Sequence, residues 1–333
     1  MTKFQSTDND FSKIKFGYWK LFDDWCLVFG IYGFYRGRFS FMEFFLQLFF
    51  QGLSIGFLYA LVALGFVMIF KSSSVLNFAH GELLAIGAFI FLVLAAWLKL
   101  PIWLAFLITI VGSFALGFII ERLFLRPLIG EALIEVIMLT VGLAAMFRGI
   151  MLVIFGGNLH NYPDFLPKNL TIEMGNINIP PVYVATFIIG LIFLVIFGLF
   201  FKYSSQGIYM RSVADNQPAA LSLGVHVRRV FALSWAIAAL VCAMSGIILG
   251  IINGINVHEL SHIGLKVFPV VILGGLESIG GAIIGGVIIG LLETFTGGYI
   301  STSLREIVPY IILVFILLVK PYGLFGLVEI ERV

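Results

Sequence analysis

Apolar residues fall in long unbroken runs along this chain, and polar residues collect between them. Eight runs stand out, over residues 44–70, 76–98, 101–121, 132–155, 182–201, 230–253, 264–293 and 306–319. Most reach the roughly 18 to 20 residues that a helix needs to cross the hydrocarbon core. Runs this continuous predict helices; the strands of a membrane β-barrel alternate in short segments. The expected fold class is an all-α polytopic membrane protein.

Charge in the connections sets the expected orientation. The segment 202–229 carries Lys202, Arg211, Arg228 and Arg229 against the single acid Asp215, whereas the loop 156–181 has no strong bias. Excess Lys and Arg mark cytoplasmic loops. That rule puts 202–229 in the cytoplasm, together with the N-terminus (Lys20, Arg36, Arg38) and the C-terminus (Lys320, Arg332). Five runs lie before the central loop and three after it, yet both counts should be even. One further crossing or re-entrant piece is therefore expected in each half. The stretch 44–98 is interrupted at 71–74 and 77–82, and the run 264–293 is interrupted by the glycines of 274–281. Splitting both gives an expectation of ten helices, six before the loop and four after it.

Composition agrees with that class. Hydrophobic residues make up 61% of the chain and charged residues 11%, against roughly 45–50% and 25% in soluble domains. The formal net charge of +2 is confined to a few loops and offers no surface for nucleic acid. Cys26 and Cys242 lie far apart without metal-ligand spacing, and read as free thiols. Residues 1–43 form a mixed polar tail, within which the apolar stretch 25–35 is too short to span and is expected as an interfacial helix. The membrane domain then covers 44–333.

Candidate chemistry sits where polarity interrupts the apolar runs. Asn77, His80 and Glu82, packed around Gly81, are costly at membrane depth unless they face protein or a watery path. Two readings stand: a polar lining of a transport path, or a structural network in which Asn77 caps the next helix and Glu82 favours its dipole. Gly274, Gly275, Gly280 and Gly281 permit either tight helix packing or a sharp intramembrane turn. Interrupted helices in both halves of a membrane protein point to a transport path. Arg148 and Glu135 are too far apart in sequence to pair on one helix, so Arg148 is expected to meet another helix or the outer interface. Lys266 and Glu277 share the second broken region, where pairing is plausible. No serine, histidine and acid set suggests an enzyme, and His80 brings no second ligand cluster for a metal. The chain also lacks the Gly-x-x-x-x-Gly-Lys-Ser/Thr phosphate loop, so it is not expected to bind ATP or another cofactor itself.

Three blocks resemble a known family. The first runs Gly52-Leu-Ser-Ile-Gly-Phe-Leu-Tyr-Ala-Leu-Val-Ala-Leu-Gly65 and then Val75-Leu-Asn-Phe-Ala-His-Gly-Glu82. The second, within 207–225, contains Ala219-Ala220-x-x-x-Gly224, and the third is Val271-Ile-Leu-Gly-Gly-Leu-Glu-Ser-Ile-Gly-Gly-Ala282. In this order they resemble branched-chain amino acid ABC permeases of the LivH/LivM type. The resemblance implies a multi-pass subunit of the bacterial inner (plasma) membrane. It also implies a homologous permease partner, two cytoplasmic ABC ATPases and an extracytoplasmic solute-binding protein. Arg211, Ala219, Ala220 and Gly224 would then couple the permease to its ATPases. Asn77, His80, Gly81, Glu82, Gly274, Gly275, Glu277, Gly280 and Gly281 would line the path or shape the helix breaks. The implied cargo is a branched-chain amino acid, with urea or short amides as alternatives. The rival class is a stand-alone channel or secondary transporter that uses Glu82, His80 or Glu277 as an ion relay.

Overall fold

The computed structural model describes residues 41–163, 172–174 and 177–326. The polar tail and the interfacial helix expected at 25–35 lie outside these residues. Within them are eleven α-helices, nine of them long and apolar enough to cross a membrane. The first five spans are α1 (Phe41–Ser73), α2 (His80–Leu92), α3 (Ile102–Ile120), α4 (Leu133–Phe155) and α5 (Pro181–Tyr203). Two short helices follow, α6 (Ser205–Asp215) and α7 (Gln217–Ser222), and then α8 (Val227–Asn253), α9 (Val257–Gly274), α10 (Ile279–Tyr299) and α11 (Thr302–Val319). π-Helical turns over Val93–Trp97 and Glu121–Leu125 lengthen α2 and α3. A small antiparallel hairpin, β1 (Ile172–Met174) and β2 (Ile177–Ile179), sits before α5 with Ile172 opposite Ile179.

The polytopic helical class is as the hydropathy pattern indicates. The expected split of the run 264–293 is present: α9 ends at Gly274 and α10 begins at Ile279. In the first half, α1 is unbroken from Phe41 to Ser73 and α2 starts at His80. The polar residues at 77–82 therefore mark where one span begins, and add no sixth crossing among the described residues. Four spans after α7 bring the C-terminal stretch back to the face of α6 and α7, where Phe325 and Arg211 line one hollow.

The spans form a buried inner set and a lipid-facing outer set. α1, α2, α8 and α9 are mostly buried, with α10 intermediate, while α3, α4, α5 and α11 expose most of their apolar surface. Val111, Val153, Val195 and Leu318 are among the exposed side chains, as expected where the solvent is lipid. Inner helices in a membrane gain little from hydrophobic exclusion and rely on close packing of small residues. α1 meets α10 through Gly56 against the Gly290 backbone, and through Ala60 against Gly286. α2 meets α8 through Gly87 against Ala243.

Candidate functional site

The interruption consists of unwound backbone over residues 74–79, which re-enters the domain, followed by the first turn of α2 from His80. Ser74, at φ +55°, turns the chain back after α1, and residues 75–79 lead to the first turn of α2. Backbone without a helix partner is tolerated at membrane depth only when protein satisfies it. Thr140 of α4 does much of this. Its hydroxyl accepts from the Phe78 N–H at 3.3 Å and stands 3.3 Å from the Leu76 carbonyl and 2.8 Å from that of Ile137. Asn77 Oδ1 accepts from the Ala79 N–H at 3.0 Å. Asn77 is thus not the helix cap that its position suggests. The N-cap is Ala79, without a side-chain cap, and Asn77 closes the turn before it.

His80 and Glu82 each find a partner on another helix. His80 Nε2 lies 2.8 Å from the Val62 carbonyl of α1 and 3.2 Å from Cys242 Sγ of α8. A carbonyl can only accept, so the bond to Val62 places the ring proton on Nε2. Val62 is about three turns, roughly 16 Å, before the end of α1, so the break reaches deep into the domain. Phe66 stands edge-on to the imidazole at 5.6 Å between centroids. His80 and Cys242 are metal-capable, but among the described residues no third His, Cys, Asp or Glu joins them. Glu82 Oε1 accepts from Arg148 Nε at 3.2 Å and Nη2 at 2.5 Å, so Arg148 meets another helix, one of its two expected settings. Gly81 lies against Gly264 and the Ser261 carbonyl of α9, leaving no room for a Cβ.

The second set of predicted residues forms the turn between α9 and α10, away from the first break. Gly275 has φ +102°, a conformation that favours glycine. Gly274 and Gly281 touch backbone to backbone, while Gly280 faces open space. The N–H groups of Leu324 and Phe325 cap the Leu273 and Gly274 carbonyls at 2.8 and 3.1 Å, which satisfies carbonyls a helix end leaves unpaired. Both sequence readings of these glycines therefore apply, at different positions. Glu277 is exposed, and its backbone carbonyl accepts from Lys71 Nζ at 3.4 Å.

Lys266 does not pair with Glu277. It lies about two turns before the end of α9, too far from the turn, and faces a polar cavity on the opposite side of the domain. There its Nζ stands 3.3 Å from Glu293 Oε1 and 2.5 Å from Glu306 Oε2. Arg305 Nε binds the same Glu293 oxygen at 3.1 Å. The cavity, about 520 Å³, is also lined by Tyr59, Tyr183, His262 and the aliphatic Ile55, Leu249, Ile252 and Ile263. Glu293, Arg305 and Glu306 are absent from the residues singled out in the sequence. Their signal is a carboxylate inside an apolar run, but the run 264–293 ends on Glu293 and so hides it.

The residues expected to couple occupy the short helices. Asn216 Oδ1 caps α7 by accepting from the Ala219 N–H at 2.9 Å, and Gly224 at φ +82° ends that turn. Ala220 is buried with Phe201, Met210 and Val213, while Ala219 is exposed. Arg211 Nη2 donates to the Lys202 carbonyl at 3.1 Å, which ties α6 to the end of α5.

A family model described as the branched-chain amino acid transport system permease component matches residues 48–317. The high-affinity branched-chain amino acid transport system permease protein LivH of Escherichia coli is 31% identical over 302 residues, covering 87% of this chain and 98% of that protein. BraD of Pseudomonas aeruginosa, described in the same terms, is 31% identical over 301 residues with the same coverage. A probable LivH of Methanocaldococcus jannaschii is 26% identical over 285 residues, 81% of this chain and 89% of its own length. No solved structure matches the chain.

Proposed function

This chain belongs to the branched-chain amino acid transport system permease-component family, and we propose that it is the inner-membrane permease subunit of an ATP-driven importer of leucine, isoleucine or valine. The observation that carries the proposal is the outer face of α7 together with Leu223, the residue at its C-terminal cap. Leu221 and Leu223 stand 54% and 82% exposed there, on the basic side of the protein, with Arg228 and Arg229 exposed nearby. Apolar side chains presented this way suit a groove on a soluble partner. Ala220, sunk into the membrane domain, links movement of that partner to α5 and α6.

The partner would be a pair of ATPases, since the chain carries no phosphate loop of its own. A homologous permease subunit and an extracytoplasmic solute-binding protein complete the assembly, the latter received in part by the loop 156–181. In this division of roles the break at 77–82 is scaffold. Glu82 and His80 are buried and partnered on neighbouring helices, and neither lines the charged cavity. The path opens to either side in turn as nucleotide state shifts the population of two conformations. The purified chain alone should hydrolyse no ATP, and activity should appear only with its ATPase subunits. Robust hydrolysis by the chain alone contradicts the proposal.

A further inference from the structure

The hollow shared by the ends of α1 and α5, by α6 and by the turn between α9 and α10 is basic. Lys71, Lys202 and Arg211 line it against the one acid Glu277, three positive charges and one negative, a formal sum of +2. Among the described residues none of the three cations is paired with a carboxylate. Lys71 Nζ reaches only the Glu277 backbone carbonyl, at 3.4 Å, and Arg211 engages one nitrogen, Nη2, with the Lys202 carbonyl at 3.1 Å. Lys202 Nζ stands 5.2 Å from the centroid of the Tyr203 ring, a weak hold for an exposed ammonium group. Cations gathered around one hollow repel one another, and an anion among them relieves that repulsion.

The surroundings of the hollow say which anion fits. α5 is one of the lipid-facing spans, and Val195, Gly198, Leu199 and Lys202 recur on it at the i, i+3, i+4 and i+7 spacing of one helix face. Val195 and Leu199 are half exposed, and nothing stands within 4 Å of where a Cβ would be at Gly198. Gly198 and Lys202 both line the hollow, so an apolar strip on the lipid face of α5 leads directly to it. Tyr203 is exposed beside Lys202, as aromatic residues are at a membrane–water interface. The charge rule makes this the cytoplasmic side, where basic pockets between membrane helices take anionic lipid headgroups. The volume of about 410 Å³ lies within the roughly 300–1,000 Å³ of small-molecule sites. A free phosphate would satisfy the cations but leave the strip on α5 unused.

We propose that this hollow binds an anionic phospholipid of the cytoplasmic leaflet. Lys71, Lys202 and the remaining nitrogens of Arg211 hold its phosphate, and its acyl chains lie along Val195 and Leu199. The site does not rest on the importer reading. With Lys71 at the end of α1 and Arg211 on α6, one headgroup fastens the short cytoplasmic helices to the spans.

The test is binding of tritiated phosphatidylglycerol to the full chain purified in detergent, where no membrane surface adds a field of its own. Unlabelled phosphatidylglycerol, phosphatidylcholine and inorganic phosphate compete in separate arms. Phosphatidylglycerol should compete at least about tenfold better than phosphatidylcholine, the difference that one net charge makes beside several cations. Inorganic phosphate at the same concentrations should displace nothing. Lys71→Gln with Lys202→Gln should raise the half-competing concentration of phosphatidylglycerol by about tenfold or more. Arg228→Gln with Arg229→Gln makes the same change in net charge at exposed positions outside the hollow, and should leave that concentration unchanged. Equal competition by phosphatidylcholine, undiminished binding in the lysine variant, or an equal loss in the arginine variant overturns the site. Displacement by inorganic phosphate as readily as by the lipid marks a free-anion site and overturns the lipid. If the double lysine variant fails to fold, Lys202→Gln alone, at an exposed position where substitution rarely disturbs a fold, should weaken binding by about threefold, and no change there overturns the site.

Discussion

Arg148 of α4 holds Glu82 of α2 through two nitrogens on a single oxygen, Nε at 3.2 Å and Nη2 at 2.5 Å from Oε1. The carboxylate is buried, so removing its partner strands a charge inside the domain. Losing one member of such a pair costs about 3–5 kcal/mol. Arg148→Leu should therefore lower the yield of folded protein and its thermal midpoint in detergent, and adding Glu82→Gln should restore part of both. Glu82→Gln alone should reduce assembly while uptake per assembled complex is kept. Full assembly with uptake abolished would move Glu82 from scaffold to path.

The contact of Gly81 with Gly264 gives a second expectation. A side chain at Gly81 meets backbone of α9, which cannot yield like a side-chain tip, whereas Gly142 and Gly149 of α4 have open space at the same distance. Overpacking costs about 1–3 kcal/mol in well-packed interiors. Gly81→Val should destabilise by at least that much, while Gly142→Ala should be neutral or slightly stabilising through helix propensity. Thermal unfolding of the two variants side by side checks this, and equal midpoints contradict it.

Thr140 supports the unwound backbone from α4. Thr140→Val keeps the shape but leaves the Phe78 N–H without its acceptor. An unsatisfied group costs about 1–3 kcal/mol when fully buried; this bond is partly buried, so the loss should fall at the low end of that range, and Thr140→Ser should recover most of it. Hydrogen exchange at Phe78 and Ala79 should quicken in the valine variant; unchanged exchange there argues that Thr140 is incidental.

The break at 77–82 is visible in the sequence because an amide, an imidazole and a carboxylate inside an apolar run are costly unless the helix stops there or protein pairs with them. Their partners are not visible: Arg148 is 66 residues from Glu82, and His80 meets Cys242 162 residues away. The charged cavity is harder still. Glycines keep hydropathy high through the turn at 274–278, so two helices read as one run ending at Glu293. In the folded chain Glu293 lies well inside α10, which continues to Tyr299. That displaced boundary hides the carboxylate and directs Lys266 towards Glu277. In the first half, the parity of the charge rule calls for a crossing that α1 and α2 do not provide.

Leu223 tests coupling without disturbing the fold. It is 82% exposed, and surface substitutions of this kind usually change stability by no more than about 0.5 kcal/mol. Leu223→Asp should leave the thermal midpoint where it was and abolish stimulation of the partner ATPases. A variant that couples normally would remove α7 from the proposed contact.

The central claim is ATP-driven import through this chain, and solute uptake measures it most directly. Proteoliposomes should be assembled with the chain, its permease partner, the ATPases and the binding protein, with ATP on the ATPase side. Radiolabelled L-leucine should accumulate only with ATP and only when the ATPases are present. Leucine flux through the chain that is indifferent to ATP and to the ATPases would identify a channel or secondary transporter and contradict the account.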